Sequence, residues 1–298
     1  VKGSVSSQFV SALLIAASAM FPQGTPTTIE IDGLISKPYV DMTVAMATTF
    51  GADISRVSES VYLVNPGILS SPGEYRIEPD ASSASYFLGG ALLTGGPVRI
   101  PGLHRGSLQG DIGFVSVLQD MGAEVSWESD HVHVSMPTPG ELRAVDLDLN
   151  HIPDAAMTLA PLALFGHRPT VIRGIGSWRV KECDRLDAMA TELRKFGTRV
   201  DTGPDWLKIY PLSSSGEQKQ GKEEEKEETE ENASPVHVHT YKDHRMAMAL
   251  SLLSLGTRAR ELCIENPRCV AKTFPNFFEE LSRMTTTTGT TTTTEKER

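Results

Sequence analysis

The hydrophobic residues of the chain alternate between helical and strand-like spacing. From Leu186 to Phe196, apolar residues recur every three or four positions, as in an amphipathic helix. A Phe-Gly-Thr-Arg-Val segment follows at 196–200, and related segments end two other helical patterns at 50–54 and 121–125. The glycine of each segment fits the position just after a helix, where φ is positive. We therefore predict three helices that end there, each followed by a strand.

These segments belong to a larger repeated unit of strand, helix, strand, helix, strand, strand. We predict four units, at about 1–77, 78–141, 142–211 and 235–284, of which the first lacks its opening strand and the last stops early. Within them we predict strands at 98–100, 170–173, 236–240 and 262–264, and helices at 82–93, 155–165, 245–255 and 274–284. Such units form mixed sheets with helices on one face, and the Ala-rich helices indicate burial between sheets. The predicted fold class is α/β (α+β) with repeated βαβαββ units.

Composition and charge narrow the class of protein. The chain has 298 residues, 39% hydrophobic and 22% charged, which is enough to bury a full core in one or two domains. Its net charge of −10 includes a run at 217–231 with eight Glu and three Lys. Without a basic surplus we expect no duplex nucleic-acid binding, and no apolar run is long enough to span a membrane. We predict a disordered acidic insertion at 213–234 and a disordered Thr-rich tail at 285–298.

The cysteines and histidines argue against a disulfide framework or a metal site. Cys183, Cys263 and Cys269 form no CxxC pair, and an odd, sparse count is typical of a reducing compartment. His237 and His239 have no third ligand at a useful spacing. We expect no metal.

The first residues of the sequence do not decide the cellular compartment of the protein. Residues 9–21 resemble the apolar region of a signal peptide, but only Lys2 precedes them, so we favour a buried helix. The chain lacks an initiator Met and is already in a motif by Ser4. We expect the chain to be a piece of a longer polypeptide, and we expect that polypeptide to lie in the cytoplasm or in a plastid.

Polar residues cluster at two predicted helix starts. Ser6, Ser7 and Gln8 lie at the first, where hydroxyls and free backbone N–H groups either bind an anion or simply cap the helix. Asp154 lies before an apolar helix, where it caps the helix or acts as a general base on a substrate hydroxyl. Both interpretations stay open at each position.

The densest charged cluster lies at 179–185. Lys181 and Arg185 are four residues apart and would share a face of a helix, whereas Glu182 would point elsewhere. Residues 243–245 and Lys272 occupy equivalent junctions in the last unit. Because repeated units bring their junctions to one side, the cations would converge on a cleft that recognises phosphate and carboxylate groups. A surface lattice of ion pairs is the alternative.

Nine stretches of the sequence, which run colinearly from residue 3 to about 284, form one distinctive set. The stretches are GSVSSQF at 3–9, SKPYVD at 36–41, DASSASYF at 80–87, SLQGDI at 107–112, NHIPDAAMT at 150–158, WRVKECDRL at 178–186, AMATELRK at 188–195, DHRMAM at 243–248 and AKTFP at 271–275. Together they resemble the 5-enolpyruvylshikimate-3-phosphate synthase family.

The resemblance implies a reaction and an architecture. The enolpyruvyl group of phosphoenolpyruvate would move to the 5-hydroxyl of shikimate 3-phosphate and release phosphate, in aromatic amino-acid biosynthesis, without metal or organic cofactor. Two lobes of three repeats each, of the inverse α/β barrel type, would close on these small-molecule substrates. The full-length form would be monomeric or part of a larger polypeptide.

The resemblance also implies roles for individual residues. Asp154 would accept the proton of the 5-hydroxyl, Glu182 would shuttle a proton, and Lys181 would be the third catalytic residue. The residues implied for shikimate 3-phosphate are Ser6, Ser7, Gln8, Ser36, Asp154, Ser177 and Lys181. Those implied for phosphoenolpyruvate are Gln8, Arg185, Arg245 and Lys272.

Departures from the family pattern keep alternatives open. Ser177 and Cys183 stand where the family usually has Asn and a hydroxyl residue. The chain would comprise one full lobe (78–284) and the last third of the other (1–77), so we expect little or no synthase activity from it alone. One alternative is a UDP-N-acetylglucosamine enolpyruvyl transferase. Another is a non-catalytic lobe that binds phosphorylated ligands.

Overall fold

The computed structural model describes residues 1–20, 24–139, 141–212, 235–256 and 261–286. The predicted acidic insertion at 213–234 and most of the predicted Thr-rich tail lie outside these residues. The described α-helices are α1 (Ser7–Met20), α2 (Lys37–Thr49), α3 (Ala81–Thr94), α4 (Phe114–Asp120), α5 (Ala156–Leu162), α6 (Arg185–Arg194), α7 (His244–Ser251) and α8 (Phe277–Thr286). The described strands are β1 (Thr27–Glu30), β2 (Asp53–Ser58), β3 (Val61–Asn65), β4 (Val98–Pro101), β5 (Glu124–Trp127), β6 (His131–Ser135), β7 (Asp146–Asp148), β8 (Thr170–Arg173), β9 (Val200–Thr202), β10 (Leu207–Ile209), β11 (Val236–Val238) and β12 (Leu262–Ile264).

One sheet topology recurs along the chain. The orders β1-β3-β2, β4-β6-β5 and β8-β10-β9 each place the third strand in the middle, with antiparallel pairing. Strand β7 adds to the edge of β8 in parallel, and β11 pairs with β12 in parallel in the same way. The sheet β7-β8-β10-β9 combines parallel and antiparallel pairs, and this mixture together with the buried helices confirms the predicted α/β class. The division of the chain into lobes stays a prediction.

The repeated turn after a helix has the backbone that the sequence predicts. Gly51, Gly122 and Gly197 have φ of 87°, 110° and 79°. A residue with a Cβ atom is disfavoured there, so glycine ends the helix and turns the chain into the next strand. The predicted strands at 170–173 and 262–264 are confirmed at both ends.

Three central helices form the main hydrophobic core. Every residue of α5 is buried, as are nearly all residues of α3 and α7, and α5 packs against both α3 and α7. Asp80 begins α3 as an N-cap, since its side chain accepts a hydrogen bond from the backbone N–H of Ser82. The core continues into the flanking sheets and is separate from a smaller cluster built on Val10, Leu14 and Tyr62.

Two sequence predictions are wrong at the ends of the chain. Helix α1 is not buried: it covers Val10 and Leu14 but exposes Phe9 and Ile15 by 54% each. Burial depends on what packs against a helix, which its own composition does not specify. Helix α8 continues through Thr286, two residues into the predicted tail. No helix in the described part of the chain has both the length and the apolar character to cross a membrane.

Helix α2, which contributes Val40 to the smaller cluster, approaches the 3-10 segment Gly110–Gly113. A Cβ atom on Gly110 would lie 2.2 Å from the Cβ of Pro38, a contact that only glycine permits. The hydroxyl of Tyr39 donates to Oδ2 of Asp111 at 2.5 Å, across the same junction.

We expect Gly110→Ala to lower the free energy of unfolding by about 1–3 kcal/mol, because the added methyl group must push Pro38 and α2 away. Gly113→Ala is the matched control, since a Cβ there meets nothing within 4 Å. Urea unfolding of the two variants checks this. Equal stability of the two variants would contradict the close approach of α2.

Candidate active site

Seven charged residues meet where helices of different repeats begin. Asp154 lies just before α5, Lys181 and Glu182 lie before α6, Arg185 is the first residue of α6, and Asp243 is the N-cap of α7. Arg245 follows in α7, and Lys272 ends the 3-10 segment Pro267–Lys272. We call these seven residues the ionic cluster. Its four cations and three carboxylates leave a formal charge of +1.

Arg185 is the centre of the ionic cluster. Its Nε donates to Oδ2 of Asp243 at 2.7 Å, its Nη1 to Oδ1 of Asp154 at 3.0 Å, and its Nη2 to Oε2 of Glu182 at 2.7 Å. The side chain is 1% exposed. One buried guanidinium thus orients three carboxylates from three parts of the chain.

Asp154 faces three cations. Besides Arg185, Nη2 of Arg245 lies 3.3 Å from its Oδ2 and Nζ of Lys181 lies 4.0 Å from its Oδ1. Burial would raise the pKa of Asp154, but the charges of Arg245, Arg185 and Lys181 outweigh it and lower the pKa below its usual value. The carboxylate is therefore ionised in the neutral range.

Glu182 joins the cluster through two cations. It accepts hydrogen bonds from Arg185 and from Nζ of Lys272. Burial would raise its pKa, but the bond from Lys272 and the charge of Arg185 lower it to about 2. The prediction that Glu182 points away from Arg185 is wrong.

The spacing of Lys181 and Arg185 predicted that they share one helix, and this prediction is wrong. Helix α6 begins at Arg185, and Lys181 directly follows the 3-10 segment Gly176–Val180. The indole Nε1 of Trp178 in that segment donates to the carbonyl of Pro153 at 2.7 Å. This bond brings Lys181 to Asp154 by a route that helical spacing does not describe.

The five hydroxyl and amide residues predicted for shikimate 3-phosphate lie outside the ion pairs described above. Ser6 accepts the backbone N–H of Gln8 at 3.2 Å, as a helix cap does, and Ser7 is buried. Ser36 is buried at the start of α2 with a left-handed φ of 52° and makes no capping bond with its described neighbours. Ser177 lies in the 3-10 segment beside Trp178. Their contacts with substrate stay predictions.

Sequence reasoning did not assign Tyr39 and Asp111 to the site. Oδ2 of Asp111 accepts hydrogen bonds from Tyr39 at 2.5 Å and Ser82 at 2.7 Å, and the charges of Asp154 and Arg245 act on both residues. Burial raises the pKa of Asp111 in spite of these hydrogen bonds. Both residues lie in stretches that carry the family resemblance, which was the only signal in the sequence.

Cys183 and His239 each have a carboxylate neighbour. Burial and the neighbouring Asp243 raise the pKa of Cys183 to about 12, so its thiol is a poor nucleophile. His239 pairs with Glu265 at 2.6 Å. Residues 1–20, 24–139, 141–212, 235–256 and 261–286 contain no group of three or more His, Cys, Asp and Glu side chains suited to a metal.

His244 makes the stability of the fold depend on pH. Burial, and then the charge of Arg245, lower its pKa to about 4, and Asp243 opposes this only in part. Below the ordinary histidine pKa of about 6.5, the imidazole of His244 is protonated in the unfolded chain but stays neutral in the folded chain. His244 therefore lowers the free energy of unfolding progressively as pH falls from about 6.5 to about 4.

We expect His244→Asn to lose less stability than the parent chain between pH 7.5 and pH 5. The difference should be on the order of 1–2 kcal/mol. Urea unfolding of both chains at the two pH values checks this. Identical losses would contradict the exclusion of the imidazolium from the fold.

The sequence as a whole matches one protein family. A family model described as EPSP synthase (3-phosphoshikimate 1-carboxyvinyltransferase) covers residues 1–281. The chain belongs to the EPSP synthase family. EPSP synthase relatives named 3-phosphoshikimate 1-carboxyvinyltransferase include those of Yersinia ruckeri, 46% identical over 287 residues, and Escherichia coli O17:K52:H18, 47% identical over 285 residues. The chain spans 61% of the length of both, and the alignments cover 95% of the chain.

Solved structures support the EPSP synthase fold. EPSP synthase from Acinetobacter baumannii superimposes with a TM-score of 0.73 at 23% identity, over 95% of this chain and 62% of that one. The enolpyruvyl transferase NikO from Streptomyces tendae superimposes with a TM-score of 0.68 at 20% identity, over 95% of this chain and 60% of that one. At these identities the likeness concerns the fold alone.

Proposed function

We propose that the ionic cluster serves the transfer of the enolpyruvyl group from phosphoenolpyruvate to the 5-hydroxyl of shikimate 3-phosphate, with release of phosphate. The observation that carries the proposal is Asp154, an ionised carboxylate beside Arg185 and Arg245 in a family of 3-phosphoshikimate 1-carboxyvinyltransferases. The reaction needs a base at a hydroxyl and cations for two anionic substrates, and the cluster supplies both.

The cations differ in their access to a ligand. The side chain of Lys272 is 57% exposed, that of Lys181 is 23% exposed and that of Arg245 is 13% exposed. These three are our candidates for direct contact with phosphate and carboxylate groups. Arg185 is held by three carboxylates, so its predicted contact with phosphoenolpyruvate requires a ligand to displace one of them.

Anionic substrates would change the charge state of the site. A phosphate or carboxylate group that pairs with Lys272 or Arg245 draws the cation away from Glu182 or Asp154. The pKa of the released carboxylate then rises, because the charge that lowered it is shared. In this way Asp154 becomes a stronger base for the 5-hydroxyl, and Glu182 becomes able to carry a proton towards the methylene carbon of phosphoenolpyruvate.

Release of inorganic phosphate from phosphoenolpyruvate tests the proposal. Shikimate 3-phosphate is one acceptor, and UDP-N-acetylglucosamine is the other. Because the chain spans 61% of its relatives' length, the assay is run with the chain alone and with the unmatched part of the Yersinia ruckeri relative added as a separate polypeptide.

We expect phosphate release only with shikimate 3-phosphate, and we expect the added polypeptide to increase it. Lys272→Ala should weaken phosphoenolpyruvate saturation, whereas Lys208→Ala should not, since Lys208 of β10 lies over the ring of Tyr210 and is not part of the ionic cluster. Release with the uridine sugar alone would assign a different acceptor. Release with neither acceptor in either arrangement would contradict the proposal.

A further inference from the structure

Helix α6 carries two buried charged side chains on one face. Arg185 and Glu192 are seven residues apart, which is about two helical turns, so both side chains leave the helix on the same side. Each is 1% exposed. Buried charges are costly unless they are paired. Each of these two side chains has a partner within residues 239–243, the segment that leads into α7. Arg185 belongs to the ionic cluster, whereas Glu192 lies outside it.

The carboxylate of Glu192 is fully engaged. Oε1 accepts the hydroxyl of Tyr241 at 2.8 Å, and Oε2 accepts the backbone N–H of His239 at 2.9 Å. Nζ of Lys195, one helical turn further on, lies 2.6 Å from the same Oε2 and donates to the carbonyl of His237 at 2.9 Å. The helix thereby holds the end of β11 and the first residues beyond it.

Tyr241 lies in a turn that its sequence does not favour. The backbone N–H of Asp243 donates to the carbonyl of Thr240 at 2.9 Å, and the two residues between them, Tyr241 and Lys242, have φ of 55° and 61°. A turn with positive φ at both central positions favours Asn-Gly, because other side chains are strained there. Tyr-Lys has no such preference, so contacts outside the turn must hold it.

The turn leads directly into two members of the ionic cluster, Asp243 and Arg245. Asp243 is its last residue, accepts Nε of Arg185, and caps α7 by accepting the backbone N–H of Arg245 at 2.8 Å. We infer that Glu192 is a positioning residue: by holding the left-handed turn at 240–243, it sets the place of Asp243 and Arg245 in the ionic cluster. One helix thus grips the turn on both sides, at Tyr241 through Glu192 and at Asp243 through Arg185.

Amide hydrogen exchange of the whole chain tests this inference without any substrate. In Glu192→Gln the amide group cannot accept three hydrogen bonds with the strength of a carboxylate. We expect exchange at 240–245 to become at least tenfold faster, while exchange in α5 stays as in the parent chain. Glu280→Gln, on the surface of α8, is the matched control and should change neither region. Tyr241→Phe removes one hydrogen bond and leaves the charge of Glu192 paired, so it gives a smaller increase and a second test if Glu192→Gln folds poorly.

Relief of backbone strain provides a rescue that a general stabilising role would not show. Lys242 is exposed, and Lys242→Gly favours positive φ without touching the bond between Tyr241 and Glu192. Added to Glu192→Gln, it should restore slow exchange at 240–245. Faster exchange throughout the chain, unchanged exchange at the turn, or failure of Lys242→Gly to restore it would each overturn the inference.

The consequence for the site is measured separately, and this arm rests on the proposed function. We expect Glu192→Gln to bind phosphoenolpyruvate, in the presence of shikimate 3-phosphate, about tenfold more weakly by calorimetry, and Lys242→Gly to recover most of the loss. If the parent chain binds neither compound, either alone or with the added polypeptide, the proposed function fails while the exchange experiment still decides the role of Glu192. If the parent chain binds and Glu192→Gln binds equally well, the positioning role is wrong.

Discussion

Arg185→Ala is expected to lower the free energy of unfolding by about 3–5 kcal/mol. The substitution leaves Asp154, Glu182 and Asp243 facing one another without the guanidinium that separates them. Asp243 suffers most, because its side chain is wholly buried and its charge then has no cation at hydrogen-bond distance among the described residues. Removal of one partner from a buried ion pair costs far more than the pair contributes, since the remaining charge stays desolvated.

Urea unfolding of Arg185→Ala beside Arg173→Ala checks this prediction. Arg173 makes two hydrogen bonds to Asp146, at 2.6 and 2.8 Å, which are comparable in length to those of Arg185. About half of each of these two side chains is exposed. Such a surface pair contributes about 0–1 kcal/mol. Asp243→Asn in the Arg185→Ala background should recover part of the loss, because it removes the stranded charge. Equal losses for Arg185→Ala and Arg173→Ala would show that the ionic cluster is not a buried network.

Asp154→Asn is expected to reduce the rate constant of phosphate release by about 10²–10⁴-fold, which is the contribution of a well-placed general base. Asparagine keeps the shape of the side chain and its acceptor oxygen for Arg185, but it cannot take the proton of a hydroxyl. Because cations lower the pKa of Asp154, the carboxylate is ionised throughout the neutral range. The loss in kcat/KM, which reports the free chain, should therefore be the same at pH 6 and pH 8.

Steady-state kinetics in whichever arrangement of chains is active checks the prediction for Asp154. Asp146→Asn is the control, since Asp146 pairs with Arg173 on the surface of another part of the chain. We expect kcat to fall much more than KM for phosphoenolpyruvate changes. A loss confined to KM would make Asp154 a binding group, and a loss of less than tenfold would remove it from the proton transfer.

The repeated fold was largely readable from the sequence because its signals are local. Apolar spacing specifies a helix, and a glycine with positive φ specifies where it ends, as at Gly122 and Gly197. The shared topology of the three antiparallel units β1-β3-β2, β4-β6-β5 and β8-β10-β9 follows from the repetition of these signals. By contrast, the exposure of Phe9 and Ile15 in α1 was not readable, because an apolar helix has the same composition whether or not something covers it.

The candidate site was predictable only in part. Sequence motifs pointed to Asp154, Glu182 and Lys272. In the structure Arg185 bonds to both carboxylates, and Lys272 donates a hydrogen bond to Glu182. The links that join distant segments were missed. Tyr39 and Asp111 are 72 residues apart, and Glu192 and Tyr241 are 49 residues apart. No local pattern reports such pairs, since each depends on how two repeats pack.

A crystal structure of the chain with shikimate 3-phosphate and phosphoenolpyruvate tests the central claim most directly. We predict that both ligands lie at the ionic cluster, with the 5-hydroxyl about 3 Å from a carboxylate oxygen of Asp154 and a phosphate or carboxylate group of phosphoenolpyruvate at Lys272 or Arg245. Ligands bound away from these residues, with the pairs of Asp154 and Glu182 unchanged, would contradict the assignment of this cluster as the active site.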